Sequence, residues 1–253
     1  MKAFVLAAGK GERLKNLTVT TPKPMLTVKG EIILEHNLKW LKKNGFDEVY
    51  INLHYLADVI RNYFGDGSRW GVKITYSYEQ EILGTAGAVK KIVSDYLRQD
   101  KGEDYLIIYG DNFYPFDYNL TGMVDFHKKK ENLVSVGLYP QVNKQDIVKC
   151  GVALIDQNNL ITDFIEKPRI GHTDLRGGGI MKKFIDQGYL NAAIYVLNKK
   201  IVKYIPQGFF DFGKDIFPEL MKNGIPLYGY VFDKPLITID TVDLYKQANS
   251  TIN

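Results

Sequence analysis

The 253-residue chain is long enough to bury a full hydrophobic core, and with 45% hydrophobic and 25% charged residues it has the composition of a soluble globular protein. Its net charge of +4 is mild and spread along the chain, which excludes a Lys/Arg block that tracks nucleic-acid phosphates and favours small anionic ligands. A lone Cys150 excludes an internal disulfide and fits a reducing cytoplasm, no apolar tract has bilayer length, and the four histidines lack zinc-ligand spacing.

The run Phe4-Val5-Leu6-Ala7-Ala8 leads into glycines and charges rather than a cleavage site, so a secretory signal is not expected. Residues 3–8, 48–53, 72–77, 105–109 and 133–138 are short β-branched runs and are predicted strands. Helical periods alternate with them. Ile33, Leu34, Asn37, Leu38 and Leu41 recur at helical spacing before the stop at Gly45, predicting a crossover helix over 33–44. Residues 57–64, 85–97 and 120–130 give weaker helical readings. This alternation predicts an α/β fold with a Rossmann-like, mostly parallel sheet flanked by helices. After residue 140 come strand-like pieces at 151–155, 160–165, 191–196 and 227–231, read as an acceptor-binding half. The polar stretch 169–188, with Gly177-Gly178-Gly179, is expected to be a mobile loop beside the site. No repeat or linker interrupts the chain, so residues 1–253 are expected to form one domain in two halves, 1–140 and 141–253.

The chemistry concentrates in Leu6-Ala7-Ala8-Gly9-Lys10-Gly11-Glu12-Arg13-Leu14, directly after the first strand, and in Thr21-Pro22-Lys23-Pro24-Met25. Glycines at a strand end let backbone N–H groups approach a phosphate, so Leu6, Ala8, Gly9 and Gly11 form a candidate nucleotide cradle. It is not a Walker loop, because no Lys-Ser/Thr follows the second glycine, and Leu14 breaks the dinucleotide pattern. The prolines around Lys23 restrict the backbone that carries it. Arg13 and Lys23 are therefore expected to converge on one polyphosphate, the guanidinium on the departing pyrophosphate and the ammonium on charge developing at the α-phosphate. These motifs resemble the signature of the sugar-1-phosphate nucleotidylyltransferases, a glycine-rich loop ending in Arg-Leu and then Pro-Lys-Pro. The resemblance covers nearly the whole chain, with Ala8-Gly9 where members usually show Gly-Gly.

The resemblance implies a nucleotide-diphospho-sugar transferase fold with a nucleotide-binding half (1–140) and a sugar-phosphate-binding half (141–253), magnesium as cofactor, and a nucleoside triphosphate and a sugar 1-phosphate as partners. Neither nucleic acid nor membrane is an expected partner, and a homo-oligomer is compatible with it. It makes Asp111, in Gly110-Asp111-Asn112 after a predicted strand, a metal and substrate ligand at the sheet edge. Asp240, in Ile237-Thr238-Ile239-Asp240-Thr241, is implied as the second metal ligand, although the family's glycine before the threonine is absent; it is also expected to cap the following helix. Phe164-Ile165-Glu166-Lys167-Pro168 is similar to the family's Glu-Lys-Pro element, which implies that Glu166 accepts from sugar hydroxyls and Lys167 meets the sugar phosphate. Gly151 and Asn191 match positions lining the sugar pocket; as strand residues alone they would mark a bulge or a turn.

Glu79-Gln80-Glu81-Ile82-Leu83-Gly84-Thr85-Ala86-Gly87 resembles the element that bounds the nucleobase, so Glu79, Gly84 and Thr85 join the nucleotide set. Its Leu-Gly-Thr-Ala-Gly form is similar to the guanylyltransferase branch that takes mannose 1-phosphate or heptose 1-phosphate. Guanine offers two adjacent N–H donors that a carboxylate such as Glu79 can satisfy, so GTP is the first expectation. Gly65-Asp66-Gly67-Ser68-Arg69-Trp70-Gly71 is equally similar to uridylyltransferases acting on N-acetylmuramic acid 1-phosphate, so UTP stays open. The implied reaction is in-line attack of the sugar phosphate on the α-phosphorus, which needs neither a covalent intermediate nor a general base. The alternatives are a cytidylyl- or thymidylyltransferase for another phosphorylated molecule and a non-catalytic nucleotide-sugar-binding module. The left-handed β-helix extension that some relatives carry is not expected.

Overall fold

The first strand shows why the sheet forms. Ala3 and Val5 face one hydrophobic cluster while Phe4 and Leu6 face another, and all four are buried. A strand buried on both faces reads as a continuous apolar run, as expected where helices cover both sides of a parallel sheet.

The computed structural model describes residues 1–142, 147–168 and 178–250. Its strands are β1 (Lys2–Leu6), β2 (Thr27–Val28), β3 (Glu31–Ile32), β4 (Glu48–Leu53), β5 (Lys73–Tyr78), β6 (Asp104–Tyr109), β7 (Asn112–Phe113), β8 (Val134–Pro140), β9 (Gly151–Ile155), β10 (Ile161–Glu166), β11 (Tyr189–Asn198), β12 (Leu227–Val231) and β13 (Ile237–Thr238). Its α-helices are α1 (Ile33–Lys43), α2 (Ala57–Phe64), α3 (Gly84–Tyr96), α4 (Leu120–Lys130), α5 (Gly178–Gln187), α6 (Phe217–Lys222) and α7 (Val242–Ser250). The predicted strand and helix boundaries fall within two residues of these.

The main sheet runs β10-β9-β11-β6-β1-β4-β5, with β8 beside β11 and β12 beside β8. Strands β6, β1, β4 and β5 are parallel. β11 is antiparallel to β6, β8 and β9, so the sheet becomes mixed beyond β6. Helices α1, α2, α4 and α5 cover the face shown by Ala3 and Val5, while α3 and α6 cover the opposite face. A third cluster joins Leu14, Leu26, Val28 and Ile33 to Ile239 and Ala248, which anchors the residues after the glycine loop to α7. The chain leaves β1 for β4 on one side and reaches β6 on the other, so a crevice opens at the C-terminal ends of these strands.

Two expectations are corrected. Within the stretch read as a loop, residues 178–187 form α5, while 169–177 lie outside the described residues. Phe184 is fully buried, and Ile180, Met181 and Ile185 pack on the same cluster; the preceding glycines masked this helical stripe. Asp240 does not cap α7. Thr241 does, its Oγ1 accepting from the Leu244 N–H at 3.3 Å.

β11 carries a bulge. Asn191 pairs with Leu138 but Tyr195 with Val136, so four residues on β11 step against two on β8. Ala193, inside the bulge, has φ of +54°, a conformation rarely taken by a residue with a Cβ. Asn191 holds it there: Oδ1 accepts from the Ala193 N–H at 2.9 Å and Nδ2 donates to the Tyr195 hydroxyl at 2.9 Å. No helix among the described residues is long and apolar enough to cross a membrane.

Candidate active site

Four parallel strand ends deliver the first half of the site. Leu6 to Gly9 follow β1, Asn52 sits near the end of β4, Glu79 follows β5 and Asp111 follows β6. Asn52 ties three of them together: its Oδ1 accepts from the Ala7 N–H at 2.8 Å and its Nδ2 donates to Glu79 Oε1 at 2.7 Å. Glu79 Oε2 accepts from the Leu83 N–H at 3.0 Å. The amides of Ala8, Gly9 and Lys10 have no protein acceptor among the described residues, so three successive N–H groups can meet phosphate oxygens. Gly11, at φ +66°, turns the chain where a Cβ would lie 3.0 Å from Thr18 Cγ2.

A cavity of about 250 Å³ opens here, and Leu6, Ala8, Gly9, Gly11, Lys23, Glu79, Gly84, Thr85 and Asp111 all line it. Glu79 is 1% exposed, and each of its oxygens already accepts one hydrogen bond from the protein, so it braces the pocket wall that it lines. Burial pushes its carboxyl up from the ordinary value.

Cations and carboxylates meet at the pocket's edge. Lys23 Nζ, 5% exposed as a residue, lies 2.7 Å from Asp111 Oδ2 and 2.5 Å from Asp240 Oδ1. Arg13 reaches Asp240 Oδ2 at 3.1 Å. Burial opposes the Lys23 charge, but the two carboxylates outweigh it and raise its pKa. Burial likewise opposes the Asp240 charge, and Lys23 with Arg13 overcomes it, holding that carboxyl below the ordinary range. Two carboxylates from distant segments, Asp111 after β6 and Asp240 after β13, thus aim at one cationic centre. That donor set fits magnesium, which takes one or two carboxylates and completes its shell with phosphate oxygens and water. Among the described residues no group of three or more His, Cys, Asp or Glu suited to a metal occurs, so the protein offers this pair and not a full cage.

A second cavity, of about 1040 Å³, adjoins the first. Arg13, Gly151, Glu166, Lys167, Asn191 and Asp240 line it, and it shares Thr85, Tyr109, Asp111 and Asp211 with the smaller one. Glu166 projects from the end of β10 between two glycines: a Cβ on Gly151 would lie 2.6 Å from its Oε2, and a Cβ on Gly213 only 2.4 Å. Burial pushes the Glu166 carboxyl up; Lys167 pulls against this and Asp211 adds to it. Lys167 takes φ of +47°, its N–H donating to the Cys150 carbonyl at 3.2 Å. This backbone turns an exposed ammonium to within 3.9 Å of Glu166 Oε1. Asn191 spends its amide on the β11 bulge, so it lines the cavity as a scaffold side chain.

Every residue expected at the site lines one of these two cavities. Sequence reasoning missed Asn52 and Asp211. Each carried a signal: Asn52 is a polar residue inside the apolar strand run Val49-Tyr50-Ile51-Asn52-Leu53, and Asp211 is an acid set among phenylalanines in Phe209-Phe210-Asp211-Phe212.

Comparison with known proteins follows the same lines. The UTP--glucose-1-phosphate uridylyltransferase of Synechocystis sp. is 33% identical over 98% of this chain and 62% of its own length. The D-glycero-alpha-D-manno-heptose 1-phosphate guanylyltransferase of Campylobacter jejuni is 35% identical over 79% of this chain and 77% of its own length. The chain therefore spans less than two thirds of the uridylyltransferase. HddC from Yersinia pseudotuberculosis has the same fold, with a TM-score of 0.76 over 100% of this chain and 99% of its own, at 22% identity. A nucleotidyl transferase family model matches residues 2–236, a family whose members generally use a divalent metal. That match begins at β1 and takes in the whole lining of the smaller cavity, and the chain belongs to the nucleotidyl transferase family.

Proposed function

We propose that the chain transfers a nucleotidyl group from a nucleoside triphosphate to a sugar 1-phosphate, releasing pyrophosphate. The observation that carries this is the junction of the two cavities, where Lys23, Asp111 and Asp240 form one charged cluster beside the free amides of the glycine loop. The smaller cavity takes the nucleoside and the larger the sugar phosphate, so the α-phosphate comes to lie at their common wall. Ala8, Gly9 and Lys10 donate N–H groups to the phosphates, and Arg13 holds the departing pyrophosphate. Lys23 supplies fixed positive charge where charge builds up in the transition state. Asp111 and Asp240 would hold magnesium, which when bound would supply positive charge to offset that of the phosphates. Glu166 accepts from the sugar hydroxyls, and Lys167 offsets repulsion between the attacking phosphate and the triphosphate. The acceptor arrives already anionic, so positioning and electrostatics do the catalysis without a general base.

Residues 1–253 are read as one domain, supported by β11 joining β6 to β8 and β9 in a continuous sheet. The lone Cys150 supports a cytoplasmic location.

For the base, GTP is the first reading, supported by Leu83-Gly84-Thr85-Ala86-Gly87 and by the similar heptose guanylyltransferase; mannose 1-phosphate or heptose 1-phosphate is then the acceptor. UTP is the second. It is favoured by the engaged carboxylate of Glu79 and by the uridylyltransferase similar over 98% of the chain. Pyrophosphate release is measured with GTP, UTP, ATP, dTTP and CTP, each crossed with mannose, heptose, glucose and N-acetylmuramic acid 1-phosphates. The first reading expects the highest kcat/KM with GTP and a manno-configured acceptor. A maximum with UTP replaces it by the second, and no release from any pair refutes nucleotidyl transfer.

A further inference from the structure

The first N–H groups of any α-helix lack partners within the helix. Those of α3 are taken by a segment more than a hundred residues away. Asp211 Oδ1 accepts from the Thr85 N–H at 3.0 Å and from Thr85 Oγ1 at 3.1 Å. The Phe210 carbonyl accepts from Ala86 N–H at 2.8 Å and Gly87 N–H at 3.3 Å. In return, Thr85 Oγ1 accepts from the Phe212 N–H at 2.9 Å and the Leu83 carbonyl from the Phe210 N–H at 3.0 Å.

The glycines of this motif make room for that docking. A Cβ on Gly84 would lie 2.5 Å from the Phe210 carbonyl oxygen, and one on Gly87 would lie 2.5 Å from that of Gly208. The Leu-Gly-Thr-Ala-Gly element, which lines the smaller cavity through Gly84 and Thr85, is therefore also a seat for residues 208–212.

The seated segment continues into the larger cavity. The Asp211 N–H donates to Asp215 Oδ2 at 2.7 Å, opening a π-helical turn over Phe212–Ile216. In that turn Gly213 packs directly on the Glu166 carboxylate, where even a methyl group would collide. Thr85 and Asp211 themselves line both cavities. Six residues thus join the nucleoside pocket to the sugar-facing carboxylate: Gly84, Thr85, Asp211, Phe212, Gly213 and Glu166.

We propose that Thr85 and Asp211 are positioning residues that couple the two substrates. Nucleotide settling against Gly84 and Thr85 fixes Asp211, and through it Gly213 and Glu166, so each substrate strengthens the binding of the other. This inference rests on the nucleotidyl-transfer reading and assigns the pair no contact with the reacting atoms.

The test uses the whole chain with magnesium and an unreactive α,β-methylene analogue of the triphosphate that supports turnover. Its affinity is titrated with and without saturating sugar 1-phosphate, in the wild type and in Thr85→Val, Thr85→Ser and Asp211→Ala. Expected is a 5- to 150-fold gain in the wild type, the usual span of coupling between sites, falling below about twofold in Thr85→Val and Asp211→Ala and retained in Thr85→Ser. Should Asp211→Ala fail to fold, the contrast between Thr85→Val and Thr85→Ser carries the test, since both keep the backbone bond and only Ser keeps the hydroxyl. A purely structural role would weaken both substrates and leave the gain intact; that outcome, or a wild type that binds both without gain, overturns the coupling alone. A wild type that binds neither substrate refutes nucleotidyl transfer, and the coupling with it.

Discussion

The smaller cavity is walled by strand ends, backbone amides and three buried polar side chains, Lys23, Asn52 and Glu79, whose hydrogen bonds close on the protein itself. The larger cavity is walled by side chains from many elements, with the ammonium of Lys167 and the guanidinium of Arg13 exposed along it. One pocket is cut from the fold's own bonding network, whereas the other is assembled from groups that the fold holds out to a ligand. Substitutions in the first should register as lost stability, substitutions in the second as lost affinity, and those at the shared wall as lost turnover.

The shared wall gives the largest effect. Asp111→Asn is expected to lower kcat on the order of a thousandfold with the fold intact, checked by pyrophosphate release beside circular dichroism. Near-normal turnover would remove Asp111 from the charged centre. Next comes the acceptor cavity: Glu166→Gln should raise the KM for sugar 1-phosphate about 10- to 100-fold, the worth of one charged hydrogen bond, and leave the Kd for nucleotide, measured without sugar phosphate, unchanged. An equal rise in both constants would erase the distinction between the two cavities.

In the nucleoside pocket, Asn52→Ala strips the Ala7 N–H and the Glu79 carboxyl of their partner. It should cost about 2–3 kcal/mol of stability by urea denaturation, because buried polar groups left unpaired keep their desolvation penalty. The smallest effect is a pH dependence. Burial raises the folded pKa of Glu79 above the ordinary 4.5, so the folded chain holds that proton more tightly than the unfolded one. Its contribution to stability is full below pH 4.5 and lost as pH rises through the folded value. Glu79→Gln cannot titrate, so wild-type stability measured against this variant should decline across that window; a constant difference would place Glu79 in a water-like setting.

What was legible in the sequence follows from the same physics. Runs such as Phe4-Val5-Leu6 and Leu106-Ile107-Ile108 are buried on both faces, so hydrophobicity alone marks them as strands. The glycine loop, the proline-bracketed Lys23 and the Glu166-Lys167 pair stand out because their residue types suit phosphate and sugar chemistry at one short stretch of chain. Helix α5 was hidden by the glycines before it, and the capping role fell one residue late, on Thr241, since two neighbouring residues could each serve. Neither the meeting of Thr85 with Asp211 nor that of Asn52 with Glu79 could be read in advance. Such contacts depend on how distant segments are brought together, and local spacing carries no record of that.

The bulge in β11 makes length, more than side-chain identity, the constraint on that strand. Leu190, Ala192, Ile194 and Val196 face one core cluster while Tyr195 and Leu197 face the other. Excising a single residue between 191 and 194 would exchange these faces for everything after it, turning Tyr195 and Leu197 into the wrong layer and carrying the strand out of step with β6. A residue can be exchanged along this strand without moving its faces, but a one-residue gap has to be absorbed within the bulge itself or the rest of the strand falls out of its layer.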